Sequence, residues 1–152
     1  MQRWWIDEPH LLGSANLSDA DLAQLRADGF SVILCLLDLS EQQVTYDRVR
    51  ATSAGWEWHN VPIRDFAAPT IEQIDQCLNV MSESIPHKKV VVHCRGGIGR
   101  TGTMAAAYWI AKGLSSESAI SHVRQQRPYA VENRHQEAIL RDFEKAREPE
   151  RS

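Results

Sequence analysis

The sequence predicts an α/β fold: a single domain built on a central, mostly parallel (mixed) β-sheet flanked by helices on both faces. Three observations predict it. Phe30 to Leu37 is an unbroken apolar run containing β-branched Val32 and Ile33, as expected of a strand buried on both faces. Val90-Val91-Val92-His93 is a second run of the same kind. Strand-like and helix-like segments interleave along the chain without a repeat, linker or low-complexity stretch, the pattern of helices packed over a parallel sheet. A chain of 152 residues, 43% of them hydrophobic, suffices for one core and falls short of two ordinary domains. The domain is expected over residues 1–147, with 148–152 as a disordered tail.

The elements follow in order. Trp4, Trp5 and Ile6, then Leu11 and Leu12, predict two short strands around a turn at Asp7 to Pro9. Ser18 is an N-cap, Asp19 and Asp21 fall in the first helical turn, Leu22 and Leu25 form the apolar stripe, and Gly29 stops the helix. After the strand Phe30 to Leu37, a helical segment is expected from about Ser40 to Ala54, ended by Gly55. Trp56, Trp58 and Val61 then alternate with polar residues as in a half-exposed strand. Arg64 to Pro69 has neither period and reads as a loop; Thr70 and Gln73 form a capping box for a helix carrying Ile71, Ile74, Leu78 and Met81, which ends near Pro86. The strand at Val90 delivers Cys94, and three glycines make a turn. Thr101 to Lys112 is alanine-rich and closes at Gly113, the signature of a buried helix. One helix capped by Ser115 or Ser116 and another from about Glu132 to Arg147, with Ile139, Leu140 and Phe143, complete the chain.

Composition narrows the function. A formal charge of -3 from 17 basic and 20 acidic residues offers no basic excess for nucleic acid, so any anion site must be local. Charge and proline within the first few residues leave no apolar signal core, and no apolar run reaches membrane-spanning length. The odd set Cys35, Cys77 and Cys94 lacks metal spacing and suits reduced thiols in a cytoplasmic protein, and the six histidines form no zinc pattern. No metal, cofactor or nucleic-acid partner and no membrane insertion is expected, and a monomer is. Cys35, in a buried strand, and Cys77, on a helix, are expected to pack rather than to form a redox pair with Cys94.

The chemistry is concentrated in His93-Cys94-Arg95-Gly96-Gly97-Ile98-Gly99-Arg100-Thr101-Gly102. A thiol stands at the end of a buried strand and an arginine at the start of a helix. The glycines between them let successive backbone N–H groups turn inward as a nest, with a helix N-terminus behind it, which suits a tetrahedral oxyanion. Arg95, Gly96, Gly97, Ile98, Gly99 and Arg100 are the candidate phosphate-binding residues, Arg100 adding a planar fork for two phosphate oxygens. The same positive field favours thiolate over thiol at Cys94, the candidate nucleophile. His93 is placed to brace the loop, and the Thr101 hydroxyl to donate to sulfur when it leaves.

The motif His-Cys-x5-Arg-Thr-Gly resembles the signature loop of the cysteine-dependent protein tyrosine and dual-specificity phosphatases, and the chain is most similar to the small atypical VHZ-like members of that superfamily. The similarity extends to Ile63-Arg-Asp65-Phe66-Ala-Ala-Pro69, to the helix Ile71 to Met81 and to the run from Arg127-Pro128 to Gln136. It implies that Asp65 protonates the leaving oxygen and later activates water, that catalysis passes through a cysteinyl-phosphate without metal, and that Glu132 or Gln136 orients the water. Asn133-Arg134-His135 departs from the family's usual sequence there. The implied partner is a phosphorylated protein or peptide, with phosphate, sulfate or vanadate as small site ligands.

Other readings compete. Cys94 as an inert core cysteine leaves the glycines and Arg100 without a purpose. Gly97 to Gly102 also fits G-x-G-x-x-G, but the acidic residue at the end of a second strand, about twenty residues on, is missing, because Ser118 to Arg127 reads as helix. A phosphoinositide or inositol-phosphate substrate would favour more basic residues than Arg95 and Arg100 within the loop, and ranks second. A rhodanese-like or arsenate-reducing enzyme would not need Asp65, and a non-catalytic phosphate reader would not need the nucleophile. Arg64 and Arg95 stand where they can guide an anionic substrate.

Overall fold

The structure, a computed structural model, describes residues 2–148. The expected tail therefore lies outside the described residues except for Glu148, whose N–H closes the last helix on the Lys145 carbonyl. Strands β1 (Arg3–Asp7), β2 (Leu11–Ser14), β3 (Phe30–Leu37), β4 (Glu57–Ile63) and β5 (Lys89–His93) form one sheet in the order β1-β2-β5-β3-β4. Only β1 and β2 pair antiparallel; β2 with β5, β5 with β3 and β3 with β4 are parallel, so the sheet is mixed, as expected. Helices α1 (Asp19–Ala27) and α2 (Arg48–Ser53) lie on one side, and α3 (Ile71–Ser84), α4 (Gly99–Ala111), α5 (Ser116–Gln126) and α6 (Arg134–Arg147) on the other.

Strand alternation divides the apolar residues between two cores. Val32, Leu34, Leu36, Val90 and Val92 pack under α3 to α6 with Met104, Leu140 and Phe143. Ile33, Val91, Leu12 and Phe30 turn the other way, against Leu22, Leu25 and Trp56. Each fully buried side chain of this size contributes about 1.5–3 kcal/mol by leaving water. Helix α4 is buried almost all round, which its run Ala105-Ala106-Ala107 permits by letting neighbouring backbones approach. Central β5 ends with neighbours on both sides, so the chain leaves it in the crevice at the carboxyl ends of parallel strands, where α/β sheets place ligands.

The capping boxes form as their residues direct: Ser18 with Asp21 on α1, Thr70 with Gln73 on α3. Three boundaries differ from expectation. Only Arg48–Ser53 of the segment 40–54 is helical. Asp38 accepts from the Ser40 N–H and hydroxyl, Thr45 donates to the Leu17 carbonyl and Tyr46 is buried, so side-chain bonds and burial displace helix there until Asp47 caps α2. Helix α4 starts at Gly99, taking Arg100 into its first turn. Helix α6 starts at Arg134 rather than Glu132, because Val131 has φ 62° and Asn133 is the N-cap.

Candidate active site

Residues Cys94 to Arg100 join β5 to α4 and are strapped to the segment after β2: the Cys94 N–H donates to the Ser14 carbonyl at 3.4 Å, and Asn16 N–H to the Arg95 carbonyl at 3.0 Å. Gly97 has φ 73°, and an added Cβ would stand 2.7–3.0 Å from the backbone of Ser14 and Ala15. Only glycine meets both demands. No side chain caps α4, so its first N–H groups remain available to an anion in the cavity.

Cys94 is 2% exposed. Its Sγ receives the Gly97 N–H at 3.3 Å and the Thr101 hydroxyl at 3.0 Å, two donors that stabilise negative charge on sulfur. Arg100 is buried; its Nη1 donates to the Ile63 carbonyl at 2.8 Å and its Nη2 lies 3.2 Å from Asp65 Oδ1. Asp65 thus comes from the loop after β4, 29 positions before Cys94 in the sequence, to face the same cavity. That cavity holds about 190 Å³ and is lined by Asp65, Phe66, Cys94, Arg95, Gly96, Ile98, Gly99, Arg100 and Glu132. Arg95 is exposed and reaches within 3.7 Å of Asp65 Oδ2. Arg64, also exposed, turns toward Glu41 at 3.7 Å, while Glu41 accepts the Asp65 N–H at 3.0 Å.

Glu132 lies against Gly99, where an added Cβ would collide with its carboxylate. Burial, and then the charge of Asp65, raise its pKa above the usual carboxylate range, against the opposing pull of Arg100. Gln136 is not in the lining. It is fully buried and its amide is committed to backbone: Oε1 accepts from Glu132 N–H at 2.8 Å and Nε2 donates to the Ala67 carbonyl at 3.3 Å. The expectation that Gln136 orients water is therefore corrected; it ties the Asp65 loop to the Glu132 segment. Asn133 does the same, donating from Nδ2 to the Phe66 carbonyl at 2.7 Å.

His93 points to the opposite face of the sheet. Its Nε2 lies 2.8 Å from the Tyr46 hydroxyl and its Nδ1 3.4 Å from the Cys94 carbonyl. Trp58 Nε1–H donates to the same hydroxyl at 2.9 Å. The simplest satisfied pattern has Tyr46 donating to Nε2 and Nδ1–H donating to the Cys94 carbonyl. Burial holds the imidazole neutral, with its pKa lowered to about 4. Cys35 and Cys77 are fully buried thiols, pushed by desolvation to about 11 and about 12, which suits packing rather than reactivity.

A cysteine in an anion nest, an arginine behind it and an aspartate facing both constitute the equipment of phosphoryl transfer to sulfur. A family profile described as "Tc-R-P: Polymorphic toxin system, DSP-PTPase phosphatase" matches residues 11–114. The chain belongs to the DSP-PTPase phosphatase family. It is therefore a cysteine-based phosphatase by family, as the signature loop implied. The mouse (Mus musculus) protein tyrosine phosphatase domain-containing protein 1 is 32% identical over 104 residues, 68% of this chain and 14% of the mouse protein. The Arabidopsis thaliana phosphatidylglycerophosphate phosphatase PTPMT2 is 29% identical over 97% of this chain and 65% of its own. The crystal structure of Tk-PTP in the active form superposes with a TM-score of 0.84 at 32% identity, covering 93% of this chain and 95% of the other.

The sequence missed Tyr46, which it assigned to a helix, and the loop-tying roles of Asn133 and Gln136. No local pattern marks them, since their partners lie 47 to 69 positions away. Among the described residues no group of three His, Cys, Asp or Glu is arranged to hold a metal, and no helix is long and apolar enough to cross a membrane.

Proposed function

We propose that this DSP-PTPase phosphatase hydrolyses phosphorylated protein side chains, phosphotyrosine foremost and phosphoserine and phosphothreonine as well, through a cysteinyl-phosphate. One observation carries the reading: Cys94, Arg100 and Asp65, from separate parts of the chain, line one cavity of about 190 Å³. Cys94 Sγ attacks phosphorus and the bond to the ester oxygen breaks, while Asp65 gives that oxygen its proton. The nest N–H groups and Arg100 carry the charge on the other phosphoryl oxygens. Water then attacks phosphorus, Asp65 takes its proton, and the S–P bond breaks with the Thr101 hydroxyl donating to the departing thiolate.

Charge favours a substrate with one phosphate. The lining cations are Arg95 and Arg100, and they face two carboxylates, Asp65 and Glu132, so a second phosphate would meet Glu132. The exposed Phe66 ring beside Asp65 suits an aryl leaving group. A lipid phosphate monoester is the second reading, favoured by the alignment with the Arabidopsis phosphatase over nearly the whole chain.

The test compares kcat/KM on a phosphotyrosine peptide, a phosphothreonine peptide and phosphatidylglycerophosphate in mixed micelles, with wild type, Cys94→Ser and Asp65→Asn. The proposal expects the phosphotyrosine peptide to lead, Cys94→Ser to be inert and Asp65→Asn to be impaired. A lead for the lipid would move the second reading ahead, and activity surviving Cys94→Ser would defeat both.

A further inference from the structure

Trp4 sits on the edge strand β1, yet its indole N–H donates to the Gly97 carbonyl at 2.9 Å, 93 residues along the chain, in a buried bond. The indole packs against Gly13 of β2, where a side chain would collide with it: a Cβ there would stand 2.9 Å from the indole Cε2 and 3.1 Å from the Thr101 methyl. The ring thus bonds to Gly97 and shares the space over Gly13 with the Thr101 methyl, and these two residues supply the donors to Cys94 Sγ, namely Gly97 N–H and the Thr101 hydroxyl.

The bond has a geometric consequence. The Gly97 carbonyl and the Ile98 N–H belong to one planar trans peptide and point in opposite directions. With the carbonyl drawn onto Trp4, the Ile98 N–H points away from Trp4, and Ile98 is one of the residues that line the cavity. Among the described residues this N–H makes no hydrogen bond. Glycine at 97 leaves the peptide easy to rotate, so its orientation has to be imposed from outside the loop.

We propose that Trp4 is a positioning residue of the phosphate-binding loop: its indole N–H holds the Gly97–Ile98 peptide with the Ile98 N–H presented to the phosphoryl oxygens. The inference rests on the phosphatase reading for its catalytic consequence, and on anion binding alone for its geometry.

The experiment titrates inorganic phosphate into uniformly 15N-labelled protein, following the Ile98 amide and the dissociation constant, and measures aryl phosphate kinetics on the same samples. Trp4 is replaced by 3-benzothienylalanine, a ring of the same shape with sulfur in place of N–H, and separately by the variant Trp4→Phe. In wild type the Ile98 amide should move downfield as phosphate binds. With the isostere, phosphate should bind about tenfold more weakly, the scale of one lost hydrogen bond to a charged ligand, and the Ile98 response should shrink. Gly13→Ala keeps the indole but pushes it off, and should weaken binding in the same direction. Unchanged affinity and an unchanged Ile98 response with the isostere would overturn the inference, even if Trp4→Phe were impaired through packing. Phosphate binding by a wild type that hydrolyses no ester would sink the phosphatase reading while the Ile98 response still decides this one. Absence of phosphate binding to wild type would overturn both.

Discussion

The Asp65 carboxylate lies 3.2 Å from the buried Arg100 guanidinium, and its second oxygen 3.7 Å from Arg95. Arg100 is simultaneously anchored on the Ile63 carbonyl. The aspartate proposed to deliver a proton therefore claims an N–H that a phosphoryl oxygen would also use, and an entering anion competes with it. Asp65→Asn should then separate two effects. Vanadate should bind roughly tenfold tighter, since a charge-assisted bond to Arg100 is relieved. Turnover of an aryl phosphate should fall. Isothermal titration with vanadate checks the first effect; an unchanged dissociation constant would mean that the ion pair does not compete with the ligand.

The neutral His93 gives the fold a pH dependence. Its ordinary value of 6.5 falls to about 4 in the folded chain because burial disfavours the imidazolium. Between those values the unfolded chain binds a proton that the folded one does not, so stability is full above 6.5 and falls as pH drops toward 4, by up to about 3 kcal/mol. Urea unfolding at steps across this window should show the loss. His93→Asn, less stable at neutral pH, should lose less over the same window, and equal losses would assign the dependence to other groups.

Legibility in the sequence followed the range of the interactions. The run Phe30–Leu37 and the capping box at Thr70 were readable because a strand buried on both faces and a cap are each written within a few residues. The loop Cys94 to Arg100 was readable for the same reason: nucleophile, nest and guanidinium are contiguous. Asp65 was found only through resemblance, since an aspartate in a proline-containing loop carries no local mark of its partner 35 positions on. Residues 40–47 misled because their helix-compatible composition lost to bonds made with Asp38 and Leu17 and to the burial of Tyr46 against His93. Gln136 was assigned to water by family position, whereas its amide is spent on the neighbouring Glu132 N–H and on the Ala67 carbonyl, and only the folded chain brings the second of these near.

Glu132 bears on both binding and pH. Its carboxyl is raised mainly by burial, then by Asp65, so the folded chain holds that proton more tightly than the unfolded one. Ionising it as pH rises above its ordinary value of 4.5 therefore lowers stability. Glu132→Gln should gain stability relative to wild type as pH climbs from 4.5 toward neutral. It should also bind vanadate roughly twofold to fivefold tighter, the scale of one partly screened like charge removed. Paired unfolding and vanadate titrations at pH 4.5 and 7 check both, and an advantage that shrinks toward neutral would contradict the sign.

Gly102 tests whether the Glu132 segment is held by shape. A Cβ at Gly102 would stand 2.8 Å from Ala130 Cβ, 2.9 Å from Val131 N and 3.1 Å from Ala130 Cα. The segment cannot simply retreat, because Arg124 grips it from α5, donating to the Ala130 and Val131 carbonyls at 2.8 and 2.7 Å. Gly102→Ala should therefore cost about 1–3 kcal/mol, the usual range for overpacking, and lower Tm by roughly 3–9 °C for a chain of this size. It should also reduce turnover by moving Glu132 from the cavity wall. Adding Ala130→Gly removes the nearest of the three clashes but leaves the two backbone ones, so the double variant should recover part of the stability and not all. Full recovery would locate the strain in the Ala130 methyl alone; no recovery would locate it in the backbone of α4 against Val131.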